Sequence, residues 1–359
     1  MEIDFHHTAV YVLCRLAGMR SVYAEKVAYA SQQVDNANYN HAMKFENGGI
    51  FHQTRTAHEG LAFLEMIDVN DAFNVWLPFH FIPSGEGNDP IEVLITRPES
   101  KSIKLLKNYV LEAGKEEYGL HYLGIFFHIY ADAFSHQDFI GFYDQYNQIE
   151  LVKGMDKMSW KDYIVFKITK HLGFLFPIGH AVAAKNPDIP YVVWTYRRGD
   201  KEITVDNLNQ RFIPAVYSIY DYLQVYLDKN PQYGRSSERG LSRENMDLII
   251  DLLKVTGSYQ KRHQNWLEAI HNNAFGFKDF DDIDRELSYD KRSWFREAVV
   301  AVKAKGILQL LKYAAYNYYK FKKRDSFYRA DWTLFMRAAA IHKYKLLHEI
   351  LPACGIHVG

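Results

Sequence analysis

The spacing of apolar and polar residues along the chain predicts a protein built mainly of helices. Apolar residues return every three or four positions in most segments, which places them on one face of a helix. Gly18 and Ser242 mark helix ends in this pattern, since glycine often follows a helix and serine often caps its start. The predicted helices span 7–17, 21–34, 57–66, 206–228, 243–255, 257–272, 291–324 and 330–351, and a further one runs from Ser159 towards His171.

We expect an all-α fold, a multi-helical bundle, because few segments alternate in the way that half-buried strands do. Residues 83–101 are rich in proline and glycine and are predicted as a long loop, with at most one short strand at Glu92–Thr96. The polar, turn-rich segment Asp228–Arg243 is the best candidate boundary. It would divide the chain into an N-terminal helical domain, 1–230, and a C-terminal helical region, 231–359, that packs on it.

One apolar and aromatic segment carries a stripe of metal-ligand side chains. His121, His128, Asp132 and His136 follow each other at intervals of seven, four and four residues, in a helix expected to begin after Gly114. Residues at these intervals share one helix face. Polar and charged groups on a buried face are costly without a partner, and a metal ion bound by His and Asp supplies one. We interpret His121 as a core residue and the other three as metal ligands.

Composition narrows the function classes. The 43 basic and 43 acidic residues cancel, so net charge carries no specific signal for nucleic acid or an anionic membrane. Two cysteines, Cys14 and Cys354, cannot form a disulfide framework or a thiolate zinc site. No apolar run reaches the length of a membrane span, and the first residues do not resemble a signal peptide. We therefore expect a cytoplasmic protein; the oligomeric state is not indicated.

Candidate ligands also lie on other predicted elements, as they do in helical-bundle metal sites. The order of these residues resembles that of the zinc-dependent phospholipase C and single-strand-specific nuclease family. That family orders an N-terminal His, an Asp, a His, a helical His-x-x-x-Asp with a further His, and a late His with a carboxylate. In this chain the matching residues are His6 or His7, Asp35, His58 or His52, His128, Asp132, His136 and His180.

The resemblance, which covers roughly residues 1–190, implies a mostly helical enzyme that cleaves phosphodiesters. It implies that Asp132 bridges two metal ions and that His128 and His58 bind one of them. It further implies that Asp35 is a ligand and a candidate base for the attacking water.

The resemblance assigns the second and third metal ions to the remaining histidines. His6 or His7 would bind the second ion, and His136 with His180 would bind the third. The family's late His-x-x-x-carboxylate lacks its carboxylate here, so Asp188 would have to substitute for it. We therefore predict two metal ions, with three as the alternative.

These residues predict a metal-dependent hydrolase, most simply a phosphoesterase acting on a small-molecule or lipid phosphoester. Zinc is the expected metal, with manganese or iron as alternatives, because His and Asp are suitable ligands for these ions. Two such cations that share a carboxylate activate water and hold a phosphoryl group, which is the chemistry of a phosphoesterase. An HD-domain hydrolase is disfavoured because the chain has no adjacent His-Asp pair. A di-iron protein needs two Glu-x-x-His pairs, and only Glu268 and His271 form one. The non-enzymatic alternative is a helical protein with a structural or sensory metal site.

Overall fold

Long helices make up most of the protein. The computed structural model describes residues 1–39, 42–58, 71–155, 178–234, 240–301 and 320–358. The helices within those residues are α1 (Asp4–Ala9, π-helical, then Val10–Leu16), α2 (Ser21–Gln33), α3 (Ala72–Trp76, π-helical, then Leu77–Phe79), α4 (Pro90–Leu94), α5 (Lys101–Glu112), α6 (Gly119–Ser135), α7 (Leu208–Phe212, π-helical, then Ile213–Lys229), α8 (Arg243–Lys254), α9 (Tyr259–His271), α10 (Asp282–Glu286), α11 (Ser293–Ala298) and α12 (Asp331–Lys345, then Leu346–Ile350 and Leu351–Ala353).

Two β-sheets accompany the helices. The strands are β1 (Ala42–Phe45), β2 (Ile50–His52), β3 (Glu150–Lys153), β4 (Val193–Arg198), β5 (Lys201–Asp206), β6 (Val299–Ala301) and β7 (Lys320–Lys323). One sheet has the order β2-β1-β7-β6, in which β1 and β7 are parallel and the other pairs are antiparallel. The other sheet has the order β3-β4-β5 and is antiparallel.

The all-α prediction is therefore wrong, and the fold is mixed α/β. The β4–β5 hairpin shows why the pattern misled. Gly199 and Asp200 form its two-residue turn, since Arg198 pairs with Lys201, and Gly199 has a φ of +58°. A two-residue turn with a glycine in the left-handed region is a hairpin signal, but it is shorter than the window that reveals helical periodicity.

Two further element predictions are wrong. The helix predicted over 291–324 ends at Ala298 and continues as strand β6, which begins with two β-branched valines. The strand predicted at Glu92–Thr96 lies mostly within helix α4, where the Asp89 side chain accepts hydrogen bonds from the first helical amides. The helices predicted over 57–66 and from Ser159 fall largely or wholly outside the described residues.

Helix α6 forms the centre of the molecule. All of its residues are buried, as expected for a helix that is apolar on every side. It packs against α2, α5, α7 and α12. The contact with α2 is close at Gly124, where an added Cβ would lie 2.4 Å from the carbonyl oxygen of Val27.

One apolar cluster crosses the predicted domain boundary near residue 230. It includes Phe126 and Tyr226 from one side and Trp266 and Phe335 from the other. The division into 1–230 and 231–359 stays a prediction. Among the helices that the structure describes, none has both the length and the apolar character of a membrane span.

Candidate metal centre

The C-terminal half of α6 carries the centre of the candidate site. His128 and Asp132 lie one turn apart, with side chains 0% and 2% exposed. His136 follows the helix end, and its backbone amide still donates to the carbonyl of Asp132 at 2.7 Å. The helical spacing recognised in the sequence therefore places all three side chains on one buried side.

Three groups of potential ligands surround this end of α6. In each group the candidate ligand atoms lie within 4.8 Å of one another, and these are the groups of this kind found among the described residues. We name them the first triplet (His6, Asp35 and His128), the second triplet (His80, His128 and Asp132) and the third triplet (His136, His180 and Asp188).

Asp132 is the most highly connected carboxylate of the centre. Its Oδ1 lies 2.6 Å from the amine nitrogen of Met1 and 3.2 Å from Nε2 of His6. Its Oδ2 lies 3.1 Å from Nδ1 of His80 and 3.2 Å from Nε2 of His128. The carboxylate thus links the first and second triplets; that it bridges two metal ions, as the resemblance implies, stays a prediction.

The charge of this carboxylate is maintained despite its burial. Burial is the largest influence on the pKa of Asp132 and raises it. The opposing attraction of His136, the Met1 amine, His128 and His6 is stronger in sum, and holds the pKa of Asp132 well below its usual range. Asp132 is therefore an anion at neutral pH, as a metal ligand must be.

Backbone carbonyls orient three of the imidazoles. Nε2 of His80 lies 2.9 Å from the carbonyl oxygen of Thr56, and Nδ1 of His136 lies 2.9 Å from that of His80. Nδ1 of His180 lies 3.0 Å from the carbonyl oxygen of Ala184. Because a carbonyl only accepts, each of these nitrogens carries the proton and the other ring nitrogen faces the centre. Metal-binding histidines are commonly held in this way.

The donor set fits a bound cation. Burial lowers the pKa of His180 to about 4, so the ring is neutral at pH 7 and its Nε2 lone pair faces Asp188 Oδ2 at 3.5 Å. Burial likewise lowers the pKa of His6 to about 4; its Nε2 lies 3.2 Å from Asp132 Oδ1, and its Nδ1 has no hydrogen-bond partner among the described residues. Neutral imidazole lone pairs that face carboxylates are acceptors facing acceptors, and a cation between them removes the repulsion. The Met1 amine, whose pKa is raised to about 11, supplies part of this compensation, since it lies 2.6 Å from Asp132 and 3.0 Å from Asp188.

Asp35 provides the more open end of the centre. It follows the end of α2, and its Oδ1 lies 3.6 Å from Nε2 of His128 while Gln32 Nε2 donates to its Oδ2 at 3.3 Å. A third of its side chain is exposed, against 14% for Asp188. Water and small molecules therefore reach the carboxylate of the first triplet more readily than that of the third.

Not every predicted ligand lies in the centre. His7 points away from it, with Nδ1 3.0 Å from His263 Nε2. His58 stacks on Trp76 at 5.3 Å between ring centroids, and its Nε2 lies 3.6 Å from Asp71 rather than near the triplets. His52 lies on exposed strand β2.

Of the remaining predicted residues, some lie in the centre and His121 lies outside it. Of the two N-terminal candidates, the structure brings His6 to the centre, together with Asp35, His136 and His180. His121 lies higher on α6, where its Nε2 is 2.9 Å from Asp331 Oδ1. The interpretation of His121 as a core residue agrees with this contact.

Sequence reasoning missed His80, which occupies the position in the second triplet that was expected for His58. It ends helix α3 in an apolar run, and 6% of the residue is exposed. A histidine in an apolar run is a weaker signal than the stripe of four such residues at helical intervals that drew attention to α6. Asp188, weighed only as a substitute, belongs to the third triplet and is the last residue of a short 3₁₀ turn, Asn186–Asp188.

Comparison with known proteins places the chain in a family but assigns no activity. No curated protein and no solved structure matches it. The resemblance to zinc-dependent phospholipases C and nucleases therefore remains a prediction from the order of ligands. A family model matches residues 1–350, nearly the whole chain. The chain belongs to this family, which is described as "Family of unknown function (DUF6765)".

Proposed function

We propose that the protein is a metal-dependent hydrolase of phosphoesters. The observation that carries the proposal is the set of three neighbouring triplets, in which the two oxygens of Asp132 face different ligands: Oδ1 faces His6 of the first triplet and Oδ2 faces His80 of the second. Isolated structural sites are built around a single ion, whereas neighbouring ligand groups joined by one carboxylate are typical of multi-metal hydrolytic centres.

The ligand types favour zinc. Each triplet combines imidazoles with one carboxylate and lacks thiolates, a set that suits zinc and also manganese or iron. We propose two or three ions, since the third triplet is assembled around Asp188 as closely as the others are around their carboxylates.

The charge of the loaded centre supports an anionic substrate. The triplets contain three carboxylates, those of Asp35, Asp132 and Asp188, while His6 and His180 are neutral at pH 7. Two divalent cations already exceed these negative charges. A net positive, partly buried centre attracts a phosphoester, and its charge matters more than that of the neutral protein as a whole.

Asp35 and Asp132 would have different roles in the proposed hydrolysis. Divalent cations in this centre would lower the pKa of water and neutralise charge on the phosphoryl group. Asp35 accepts the proton of the attacking water, because it is the more exposed carboxylate and the Gln32 amide already fixes one of its oxygens. Asp132 holds the surrounding imidazoles in place and is too buried to meet substrate.

The proposal is tested with Asp35→Asn and synthetic mono- and diesters of nitrophenyl phosphate. The wild type, stripped with chelator and reloaded with zinc, should recover hydrolysis. Asp35→Asn should lose turnover by roughly 10²-fold or more, as expected for a general base, with little change in thermal unfolding. Asp247→Asn, on the exposed face of α8, is the matched control and should behave as wild type. Equal turnover in wild type and Asp35→Asn would remove Asp35 from the chemistry.

A structural or sensory metal site is the second candidate. The burial of His6, His128 and Asp132, all at most 2% exposed, favours it, since structural sites are closed to water. The cobalt-substituted protein distinguishes the two. A visible spectrum that changes when inorganic phosphate is added indicates an open coordination position and supports hydrolysis. A spectrum that does not respond supports the closed site.

A further inference from the structure

Thr56 lies between the segment that carries Asp35 and the imidazole of His80. It is fully buried. Its hydroxyl donates to the carbonyl oxygen of Val34 at 2.6 Å, and its backbone amide donates to that of Ala37 at 2.8 Å. Val34 and Ala37 flank Asp35, so Thr56 holds the chain on both sides of that ligand.

The hydroxyl contact satisfies a group that the helix leaves unpaired. Val34 follows the last residue of α2, and carbonyls in the last turn of a helix have no partner within it. A buried carbonyl without a partner is costly, so the Thr56 hydroxyl stabilises this particular course of the chain from α2 into the turn at Asp35.

The carbonyl of Thr56 acts on the second triplet. It accepts from Nε2 of His80 at 2.9 Å, which leaves Nδ1 of that ring facing Asp132 Oδ2 at 3.1 Å. Without this acceptor the ring could rotate or take the other tautomer, with the wrong nitrogen towards the centre.

We infer that Thr56 is a positioning residue that couples the first and second triplets, by tying the turn of Asp35 to the ring of His80. The inference rests on the proposed metal centre. A displacement of the Asp35 turn moves Thr56, and with it the acceptor that orients His80. Thr56 therefore couples metal binding at Asp35 to metal binding at His80, in addition to the contacts that Asp132 and His128 make with both triplets.

Two variants separate the hydroxyl from the shape of the side chain. Thr56→Val keeps the volume and removes the donor to Val34, whereas Thr56→Ser keeps the donor. Thr195→Val is the matched control, because it removes a buried hydroxyl that bonds Thr204 in the β4–β5 hairpin. Each protein is studied as the full chain, both metal-free and titrated with zinc against a competing chelator.

Zinc affinity is the first readout. Thr56→Val should bind zinc about tenfold more weakly, at the lower end of what outer contacts to ligands contribute, and with reduced cooperativity. Thr56→Ser should restore affinity to near wild type, and Thr195→Val should leave it unchanged. Wild-type zinc affinity in Thr56→Val overturns the inference.

The imidazole of His80 in the metal-free protein is the second readout. In wild type and Thr56→Ser its Nε2 proton should exchange slowly with water in nitrogen-15 NMR, because Thr56 shields and accepts it. In Thr56→Val the exchange should accelerate. If wild type binds no zinc, the proposed function fails, and this signal still decides the positioning role: slow exchange in Thr56→Val overturns it.

Discussion

Gly124 controls how closely α2 approaches α6, and an added methyl group there should disturb the centre from a distance. A Cβ at this position would lie 2.4 Å from the carbonyl oxygen of Val27, 2.6 Å from Ala30 Cβ and 3.0 Å from the amide nitrogen of Ser31. Two of these atoms belong to the backbone and cannot rotate away. Since ordinary contacts are about 3.5 Å, Gly124→Ala requires α2 to move by about 1 Å.

The expected cost follows from two opposing effects. Overpacking a core contact costs up to about 3 kcal/mol, and the rigid neighbours place Gly124→Ala near that limit. Alanine stabilises a helix by about 1 kcal/mol relative to glycine, which opposes this cost. The free energy of unfolding should therefore fall by about 2 kcal/mol, which lowers the unfolding midpoint of a chain of this length by roughly 3 °C.

The same displacement reaches the first triplet. Asp35 follows the end of α2, and its Oδ1 lies 3.6 Å from His128 Nε2 on α6. Separating the helices lengthens this distance, so zinc affinity should fall by about tenfold, in the range seen when ligands lose their support.

Thermal unfolding of the metal-free protein and zinc titration measure the two effects separately. Gly240→Ala is the control, because an added Cβ there meets no atom within 4 Å. Unfolding and zinc binding of Gly124→Ala that match those of the control would refute the argument from close packing.

Three further experiments test individual side chains. His80→Ala should lose zinc while His58→Ala retains it, because only His80 belongs to a triplet; equal metal content by elemental analysis contradicts the assignment. His121→Ala should leave metal content unchanged, and a large loss would make His121 a ligand. Burial lowers the pKa of His342 to about 4 in the folded protein, whereas the pKa in the unfolded chain is about 6.5. Between about pH 6.5 and pH 4 the unfolded chain therefore binds a proton that the folded protein does not, and the free energy of unfolding falls as the pH falls. From pH 7 to 5 the wild type should therefore lose about 2 kcal/mol that His342→Gln does not, measured by urea unfolding; parallel losses would contradict the shift.

The stripe on α6 was predictable because one helix carries it. Periodicity alone relates His128, Asp132 and His136, and the contacts of that helix preserve the relation. Asp35 and His180 came from the order of residues in a resembling family, not from any local pattern. Their positions depend on how separate segments fold back onto α6.

The choice among histidines between Asp35 and His128 could not be made from sequence. His58 and His80 are both buried beside aromatic rings, and Trp76 contacts each of them. The difference is the carbonyl of Thr56, a backbone group that turns His80 towards Asp132 and that no side-chain pattern reveals. The short strands were also not predicted, because each has too few residues to show the alternation of apolar and polar side chains that is typical of a strand.

Metal content tests the central claim most directly. The wild type, purified without chelator, and Asp132→Asn should be compared by elemental analysis after gel filtration. A neutral amide cannot replace a buried anionic carboxylate that contacts His6, His80 and His128. We predict two or three equivalents of zinc, manganese or iron in wild type, and loss of most of this metal in the variant. Absence of metal from wild type even after reconstitution, or full retention by Asp132→Asn, would contradict the account.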